Sequence, residues 1–158
     1  MGLSIKHLKP KQNSRYKQGY IAPRSCKKLF EQISKEAIIY RSSYELKFIM
    51  WLENSDKVAR WGSECFCIPY MFVDGTTHKY WPDYFVEFVD GTKMVVEIKP
   101  YNQTKKPINE NCWAAKEYAK NMCKWKATIE FCKKKGYQFK VLTEKTINQL
   151  RKHYMTNF

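Results

Sequence analysis

The chain has 158 residues, 44% of them hydrophobic and 28% charged, so it can bury the core of one domain and is too apolar for a disordered chain. Its net charge of +14 is unevenly distributed: residues 1–41 carry +8, residues 42–99 carry −3, and residues 100–158 carry +9. Basic ends around an acidic middle suit a polyanionic partner, and nucleic acid is the leading one. A membrane surface is the alternative, but no stretch has the apolar length to span a bilayer.

Residues 1–37 are predicted to form a basic N-terminal arm before a domain of residues 38–158. Tyr16 and Tyr20 lie between the cations, and no acid precedes Glu31, so the arm can neutralise phosphates and stack on bases. A solvated terminus and a segment that docks on another protein remain open as alternatives. The arm residues predicted to contact DNA are Lys6, Lys9, Lys11, Arg15, Lys17, Arg24, Lys27 and Lys28.

The six cysteines follow neither a metal-binding nor a disulfide pattern. No C-x-x-C pair occurs, and His7, His78 and His153 are not spaced as zinc partners. We therefore predict reduced, mostly packed thiols. The N-terminus is basic and lacks the apolar stretch of a secretory signal, so we expect synthesis and folding in a reducing cytoplasm.

The first helix is predicted to begin at Ser42, because Ser42 and Glu45 have the spacing of a capping box and apolar residues continue at helical spacing. In that box, Glu45 turns back to the backbone N–H of Ser42. Residues 64–72 are predicted to form a strand that ends in the turn Val-Asp-Gly-Thr. The same tetrapeptide recurs at residues 89–92, which indicates shared turn chemistry rather than an internal repeat.

Residues 78–100 predict two strands that fold back on each other at Asp90 and Gly91. The first strand contains the dipeptide Pro-Asp that ends at Asp83, and the second contains the tripeptide Glu-Ile-Lys of residues 97–99. Because side chains alternate along a strand, Glu97 and Lys99 share one face.

The length of the turn decides whether the two acids meet. A two-residue loop would put Asp83 and Glu97 on opposite faces of the hairpin. A three-residue loop from Val89 to Gly91, with Gly91 left-handed in a bulge, pairs residue 83 with residue 97. We therefore predict the bulged loop.

Two carboxylates and a lysine on one sheet face can hydrolyse a phosphodiester with the help of a metal. A hard cation such as Mg²⁺ takes carboxylate oxygens, lowers the pKa of a bound water and neutralises charge on phosphate. Lys99 would orient that water, or help deprotonate it if its surroundings lower its pKa. The alternative is that Glu97 and Lys99 only mark a solvated strand face.

After a loop that contains Pro107, a long helix is predicted from residue 111 to Lys135, with Gly136 as its C-cap. A strand at residues 137–142 and a helix from Thr143 to about Tyr154 follow. The element order is helix, three strands, helix, strand, helix, which predicts an α/β fold with a mixed sheet flanked by helices. The long helix carries Lys124 and Lys126, which are predicted to contact DNA. Its predicted apolar stripe is Ala114, Ala115, Tyr118, Met122, Trp125 and Ile129.

A glutamate on the first helix, then Pro-Asp, then Glu-x-Lys in this element order resembles the PD-(D/E)xK nuclease superfamily, and in particular its TnsA-type branch. Longer runs resemble the head-completion nucleases of T-even-type tailed phages. These runs are IIYRSSYELKF, WGSECFCIPY, HKYWPDYF, EIKPYNQT and NMCKWKATIEFCKKKGYQFKVLTEK, which lie within residues 38–147.

The resemblance implies a restriction-endonuclease-like core in which Asp83 and Glu97 bind Mg²⁺ or Mn²⁺. It further implies that Lys99 assists the water and that Glu45 completes the acidic cluster as a third metal ligand. The implied role is metal-dependent cleavage of double-stranded DNA late in phage assembly, on packaged DNA or at the head neck before the tail joins. The implied location is the host cytoplasm, with the virion neck as a second location.

Two alternatives from other classes stay open. In the first alternative, the chain is a structural neck protein that binds DNA and phage portal or neck proteins, and its nuclease fold has no catalytic function. It can also be a partner enzyme inside a recombination complex. The retained set of Glu45, Asp83, Glu97 and Lys99 favours the nuclease, because a structural descendant would be free to lose it.

Overall fold

A computed structural model describes residues 18–30 and 37–155 of the chain, with side chains as far as residue 150. The described part contains eight strands, three α-helices and two short 3-10 turns. The strands are β1 (Gly19–Ile21), β2 (Ile38–Tyr40), β3 (Val58–Ser63), β4 (Ile68–Met71), β5 (Thr77–Tyr80), β6 (Tyr84–Phe88), β7 (Lys93–Ile98) and β8 (Gln138–Leu142). The helices are α1 (Ser43–Asn54), α2 (Trp113–Lys135) and α3 (Glu144–Met155).

The central sheet has four strands in the order β3-β6-β7-β8, antiparallel except for the parallel pair β7 and β8. Apolar side chains of α1, α3 and one sheet face form the main core, in which Leu52, Trp61 and Val96 are fully buried. Helix α2 packs on β8 and on a separate hairpin of β4 and β5, which has its own small core around Ile68. This arrangement confirms the predicted mixed sheet flanked by helices.

The predicted number of strands is wrong. Five strands, not three, separate α1 from α2. Strand β3 was missed because Val58–Ser63 contains arginine and glycine among its apolar residues and lacks clean alternation. The predicted strand at 64–72 shrinks to Ile68–Met71, and the predicted first strand of the motif hairpin splits into β5 and β6.

The three-residue loop between β6 and β7 is confirmed. Tyr84 pairs with Val96 and the register holds to the last pair before the turn, so one further step sets Asp83 opposite Glu97. Gly91 has φ of +87°, which is left-handed, and its N–H donates to the carbonyl of Phe88 at 3.0 Å. This is the bulged turn that the acids require to share a face.

The turn between β4 and β5 repeats this chemistry, as the repeated tetrapeptide predicts. Gly75 has φ of +83°. Asp74 accepts the N–H of Thr76 at 2.9 Å, and Asp90 accepts that of Thr92 at 2.8 Å.

Helix α2 begins at Trp113 and ends at Lys135, with Gly136 left-handed at its C-cap as predicted. Its predicted apolar stripe is partly wrong, because Ala114 and Ile129 are exposed. The buried residues are Asn121, Trp125, Thr128 and Cys132. The buried face of α2 therefore includes two polar residues, Asn121 and Thr128, and lies on a different side of the helix from much of the predicted apolar stripe.

Residues 18–30 of the predicted arm contact the domain. The backbone carbonyl of Lys28 accepts the N–H of Trp61 at 2.9 Å, and the N–H groups of Lys27 and Lys28 donate to the carboxylate of Glu53. Leu29 packs against the main core. The arm cations Lys6, Lys9, Lys11, Arg15 and Lys17 lie outside the described residues, and the boundary at residue 37 stays a prediction.

Within residues 18–30 and 37–155, no helix has the length and apolarity needed to cross a membrane. All six cysteines are free thiols, of which Cys132 is buried and Cys67 is exposed.

We expect Gly91→Ala to lower the free energy of unfolding by about 1 kcal/mol, because an L side chain disfavours the left-handed region. No atom lies within 4 Å of the added methyl group, so the loss reports backbone strain alone. Chemical denaturation measures it. Gly75→Ala is the matched substitution and should lose a similar amount, whereas Val89→Ala, at an exposed position of the same turn, should lose little. Equal stability of Gly91→Ala and the unsubstituted protein would contradict this account of the turn.

Candidate active site

Pro82 separates the two strands whose side chains meet at the candidate site. Proline has no N–H to donate to a strand ladder, so β5 ends before it and β6 begins after it. The chain passes there from the β4–β5 hairpin into the central sheet. Tyr80 and Asp83, on either side of this passage, both approach Glu97 of β7.

Glu97 is the buried centre of the site, with 2% of its surface exposed. The hydroxyl of Tyr80 donates to Oε2 of Glu97 at 2.5 Å, and Nζ of Lys99 lies 3.1 Å from Oε1. Val96 and Ile98 point instead into the main core, as the predicted alternation requires. A buried carboxylate is held in place by two donors, one of them charged.

Asp83 lies beside Glu97 at the entrance to β6. Its Oδ2 accepts the backbone N–H of Ile98 at 2.7 Å, which fixes the carboxylate against β7. Burial and then the negative charge of Glu97 raise the pKa of Asp83 well above its ordinary value, while Lys99 acts against them. Two neighbouring carboxylates therefore repel each other, one of them fully buried and the other partly buried.

Lys99 carries a proton in this arrangement. Burial acts to lower its pKa, but the charges of Glu97 and Asp83 outweigh burial, so the pKa of Lys99 is raised. Lys99 would need a lowered pKa to deprotonate a water, and in the metal-free site its pKa is not lowered. Its ammonium group can still orient a water or a phosphate oxygen by donating hydrogen bonds.

Glu45 caps α1 and also contributes to the field at the site. Its N–H donates to Oγ of Ser42 at 3.1 Å, and its Oε2 accepts the backbone N–H of Arg41 at 2.9 Å. Ser42 therefore caps α1 as predicted, but the predicted return bond is wrong, because the carboxylate of Glu45 accepts the N–H of Arg41 instead of that of Ser42. Burial raises the pKa of Glu45, and its charge raises that of Asp83.

Glu64 is a further acid near these groups. Its φ of +48° is left-handed, an uncommon conformation for a residue with a side chain, and its N–H donates to the carbonyl of Asp83 at 3.1 Å. Its carboxylate pairs with Arg41 at 2.9 Å. Arg41 thereby links Glu64 to the start of α1.

Helix α2 brings one predicted DNA-binding residue to the site. Nζ of Lys124 lies 5.2 Å from the ring centroid of Tyr80, close enough for a cation–π contact. Burial, and then the positive charge of Lys99, lower the pKa of Lys124. Lys126 is exposed on another side of α2.

The described arm cations differ in their surroundings. Arg24 and Lys27 are exposed, whereas Nζ of Lys28 donates to the carbonyl of Ser55 at 2.6 Å. Lys28 is therefore engaged by the domain, and the side chains of Arg24 and Lys27 face solvent.

Two residues of the site were missed from the sequence. Tyr80 resembles any aromatic residue of a half-buried strand, and only its contact with Glu97 gives it a role. Glu64 follows a missed strand, and no sequence pattern indicates a left-handed glutamate. The position of Tyr80 two residues before Pro82 is the one available signal.

The carboxylates present fit a divalent metal only in a sparse form. In the part of the chain that the structure describes, no three side chains among His, Cys, Asp and Glu are grouped to hold a metal. Glu45 is therefore not brought together with Asp83 and Glu97 as a third ligand. Mg²⁺ is commonly bound by one or two carboxylates together with waters and substrate phosphate, and two mutually repelling acids suit such an ion.

Comparison with known proteins gives two matches. The family described as "TnsA-like endonuclease N terminal" matches residues 55–144, which include Asp83, Glu97 and Lys99. The protein named "Head completion nuclease" of Enterobacteria phage T4 is 32% identical over 124 residues, which cover 72% of this chain and 83% of that protein.

Asp83→Asn is expected to raise the melting temperature of the metal-free protein at neutral pH. The raised pKa means that the folded state binds more protons than the unfolded state above the ordinary value of 3.8, so stability falls as pH rises through that window. Asparagine removes this loss and can still accept the N–H of Ile98. Melting curves in chelator, from acidic to neutral pH, should show a gain that shrinks towards acid.

Asp90→Asn is the matched control with the opposite sign. The N–H of Thr92 holds the pKa of exposed Asp90 below its ordinary value, so removing that charge should lower the melting temperature slightly. A lower melting temperature for Asp83→Asn at neutral pH would show that Asp83 is not under electrostatic strain.

Proposed function

This chain belongs to the TnsA-like endonuclease family, and from that premise we propose that it is a metal-dependent deoxyribonuclease that cuts double-stranded DNA during phage head completion. The observation that carries the proposal is that Asp83 and Lys99 both lie beside the buried carboxylate of Glu97, at the edge of the β6–β7 hairpin. These are the Pro-Asp and Glu-x-Lys residues of the PD-(D/E)xK pattern.

Asp83 and Glu97 are the proposed ligands of Mg²⁺ or Mn²⁺. When bound, such an ion supplies a water of lowered pKa and neutralises charge on the phosphate. Tyr80 and Lys99 fix Glu97 from two sides, and the N–H of Ile98 fixes Asp83, so the chain holds both acids in place before any substrate arrives. Such preorganisation lowers the reorganisation needed during the reaction.

The lysines on both sides of the acids are the proposed phosphate contacts. Lys99 donates from the sheet, and Lys124 lies across the site on α2, in contact with Tyr80. A substrate phosphate at the site would meet the positive charge of both lysines. Lys126, Arg24, Lys27 and the arm cations before residue 18 are proposed to hold the flanking DNA backbone.

Glu45 is proposed to act on the site through its charge. It lies on α1, where its carboxylate is engaged by the cap, and its field reaches both Asp83 and Lys99. A shift of its side chain away from the N–H of Arg41 would be required for it to become a third metal ligand.

The phage setting of the proposal follows the name of the T4 relative. We therefore propose that the protein acts in the host cytoplasm during assembly, on packaged DNA or at the head neck. A structural neck protein that binds DNA and portal is the competing function. The lack of a three-ligand metal group among the described residues is the observation that favours it.

Incubation with plasmid DNA tests the proposal. We expect nicking or cutting with Mg²⁺ or Mn²⁺ and none in chelator. Asp83→Asn, Glu97→Gln and Lys99→Ala should each lower the rate at least about 100-fold, since each removes a charge that acts on the reacting groups. Lys133→Ala, at the far end of α2, is the control and should cut normally. Melting curves verify that each variant is folded. A folded protein that binds DNA and never cuts it with any divalent metal would favour the structural neck protein.

Glu45→Gln separates capping from catalysis. Glutamine is accepted at this capping position, so the melting temperature should stay within a few degrees of that of the unsubstituted protein. It lacks the negative charge, so cleavage should fall at least about tenfold. Glu45→Ala is the companion variant and should lose both activity and about 1 kcal/mol of stability. If Glu45→Gln cuts at the normal rate, Glu45 is a cap alone.

Deletion of residues 1–17 tests the role of the arm without removing the packed residues that follow. It removes Lys6, Lys9, Lys11, Arg15 and Lys17. If all five neutralise phosphates, the slope of log affinity against log salt should flatten by about 4 to 5. Fluorescence anisotropy with a labelled duplex at several salt concentrations measures the slope. An unchanged slope would assign the arm to a protein partner or to solvent.

A further inference from the structure

A cavity of about 160 Å³ lies between the 3-10 turn Tyr101–Thr104 and the N-terminal half of α2. The turn begins two residues after Lys99, so the cavity adjoins the candidate site along the chain. Its walls include Asn102, Gln103, Trp113 and Asn121. Amides and an aromatic ring that line one cavity suit a flat, polar, ring-shaped ligand.

Asn121 is the strongest indication that the cavity takes a ligand. Its side chain is 3% exposed, yet no hydrogen bond of its amide is found among residues 18–30 and 37–155. Among the described residues the fully enclosed side-chain atom without a partner is Nε1 of Trp125, so the amide of Asn121 is not sealed in the core but opens onto the cavity. Because this amide lines the cavity, a ligand there can supply the missing partner.

Trp113 provides a stacking surface at the mouth of the cavity. It is the first residue of α2 and is 71% exposed although it is large and apolar. Tyr118 adds a second ring to the wall, and exposed Lys105 adds a positive charge. Glu117 also lines the cavity, but Lys120 pairs with its carboxylate at 3.2 Å and offsets its charge.

The cavity and the candidate site are both lined by residues of α2. Asn121 lies three residues before Lys124 on α2, a rise of about 4.5 Å along the helix axis. Lys124 contacts Tyr80, whose hydroxyl holds Glu97. The base bound in the cavity would therefore belong to DNA that is held at the candidate site.

We propose that this cavity binds one unpaired pyrimidine base of the DNA, stacked on Trp113 and hydrogen-bonded to the amide of Asn121. The inference rests on the proposed action on DNA. The volume favours a single ring, because a cavity of roughly 150 Å³ accepts a ring the size of benzene. The amide has one donor and one acceptor edge and can pair with either cytosine or thymine. The protein would therefore prefer DNA that is frayed, nicked or mismatched at a pyrimidine.

Binding of the full-length protein in chelator tests this preference without cleavage. Labelled short duplexes that are fully paired, or that carry one unpaired pyrimidine or one unpaired purine, are compared by fluorescence anisotropy. The duplex with the unpaired pyrimidine should bind at least about fivefold tighter than the paired one, the lower limit for a base stacked on an aromatic ring. Equal affinities for all three duplexes would overturn the proposal.

Trp113→Ala and Asn121→Leu should each remove most of the preference. Ile129→Ala, which removes an exposed apolar side chain elsewhere on α2, is the matched control and should keep it. Asn121→Leu should melt at the same temperature as the unsubstituted protein or higher, because leucine replaces an amide that opens onto the cavity and makes no hydrogen bond within the described residues. A large fall in its melting temperature would show that the amide serves the fold, and would overturn its assignment to the base.

The outcome also separates this proposal from the nuclease activity. A protein that cuts plasmid without preferring the unpaired pyrimidine is a nuclease that lacks the base site. A protein that prefers the unpaired pyrimidine and never cuts has the base site without the proposed activity. Retention of the preference in Trp113→Ala would overturn the assignment of the cavity in either case.

Discussion

The candidate site depends on the register of one hairpin. The three-residue loop with left-handed Gly91 pairs Tyr84 with Val96, and this sets Asp83 opposite Glu97. One residue fewer in the loop would turn Asp83 to the other face of the sheet, because side chains alternate with a period of two. The chemistry of the site therefore depends on the conformation of an exposed turn at the far end of both strands.

The same register creates a cost that the rest of the site offsets. Two acids are brought together, one of them buried, and burial and their mutual repulsion raise the pKa of Asp83. Lys99 and Tyr80 partly offset this repulsion by donating to the carboxylate of Glu97. Tyr80 belongs to the β4–β5 hairpin, which is separated from the central sheet at Pro82. Repulsion between two carboxylates would be relieved by a bound cation, so this site suits a protein whose function requires a cation.

Much of this arrangement could be predicted from the sequence, because the turn residues, the alternation of Glu97 with Ile98 and the C-cap at Gly136 act locally. The bulged loop followed from the requirement that two acids share a face. The remainder depends on tertiary contacts. Strand β3 has no alternating pattern, and the split at Pro82 is visible only once β5 pairs with β4. The buried stripe of α2 includes Asn121 and Thr128, which a search for apolar residues passes over. The left-handed conformation of Glu64 has no local signature, and the role of Tyr80 is indicated only by its position two residues before Pro82.

The central claim is that the register of the β6–β7 hairpin makes Asp83 and Glu97 the ligands of one divalent metal. A crystal soaked in Mn²⁺ and measured for anomalous scattering tests this claim most directly, since it locates the ion without reference to activity. We expect a peak between the carboxylates of Asp83 and Glu97, about 2 Å from an oxygen of each. An Mn²⁺ ion bound elsewhere on the protein, with this position empty at saturating concentration, would contradict the account.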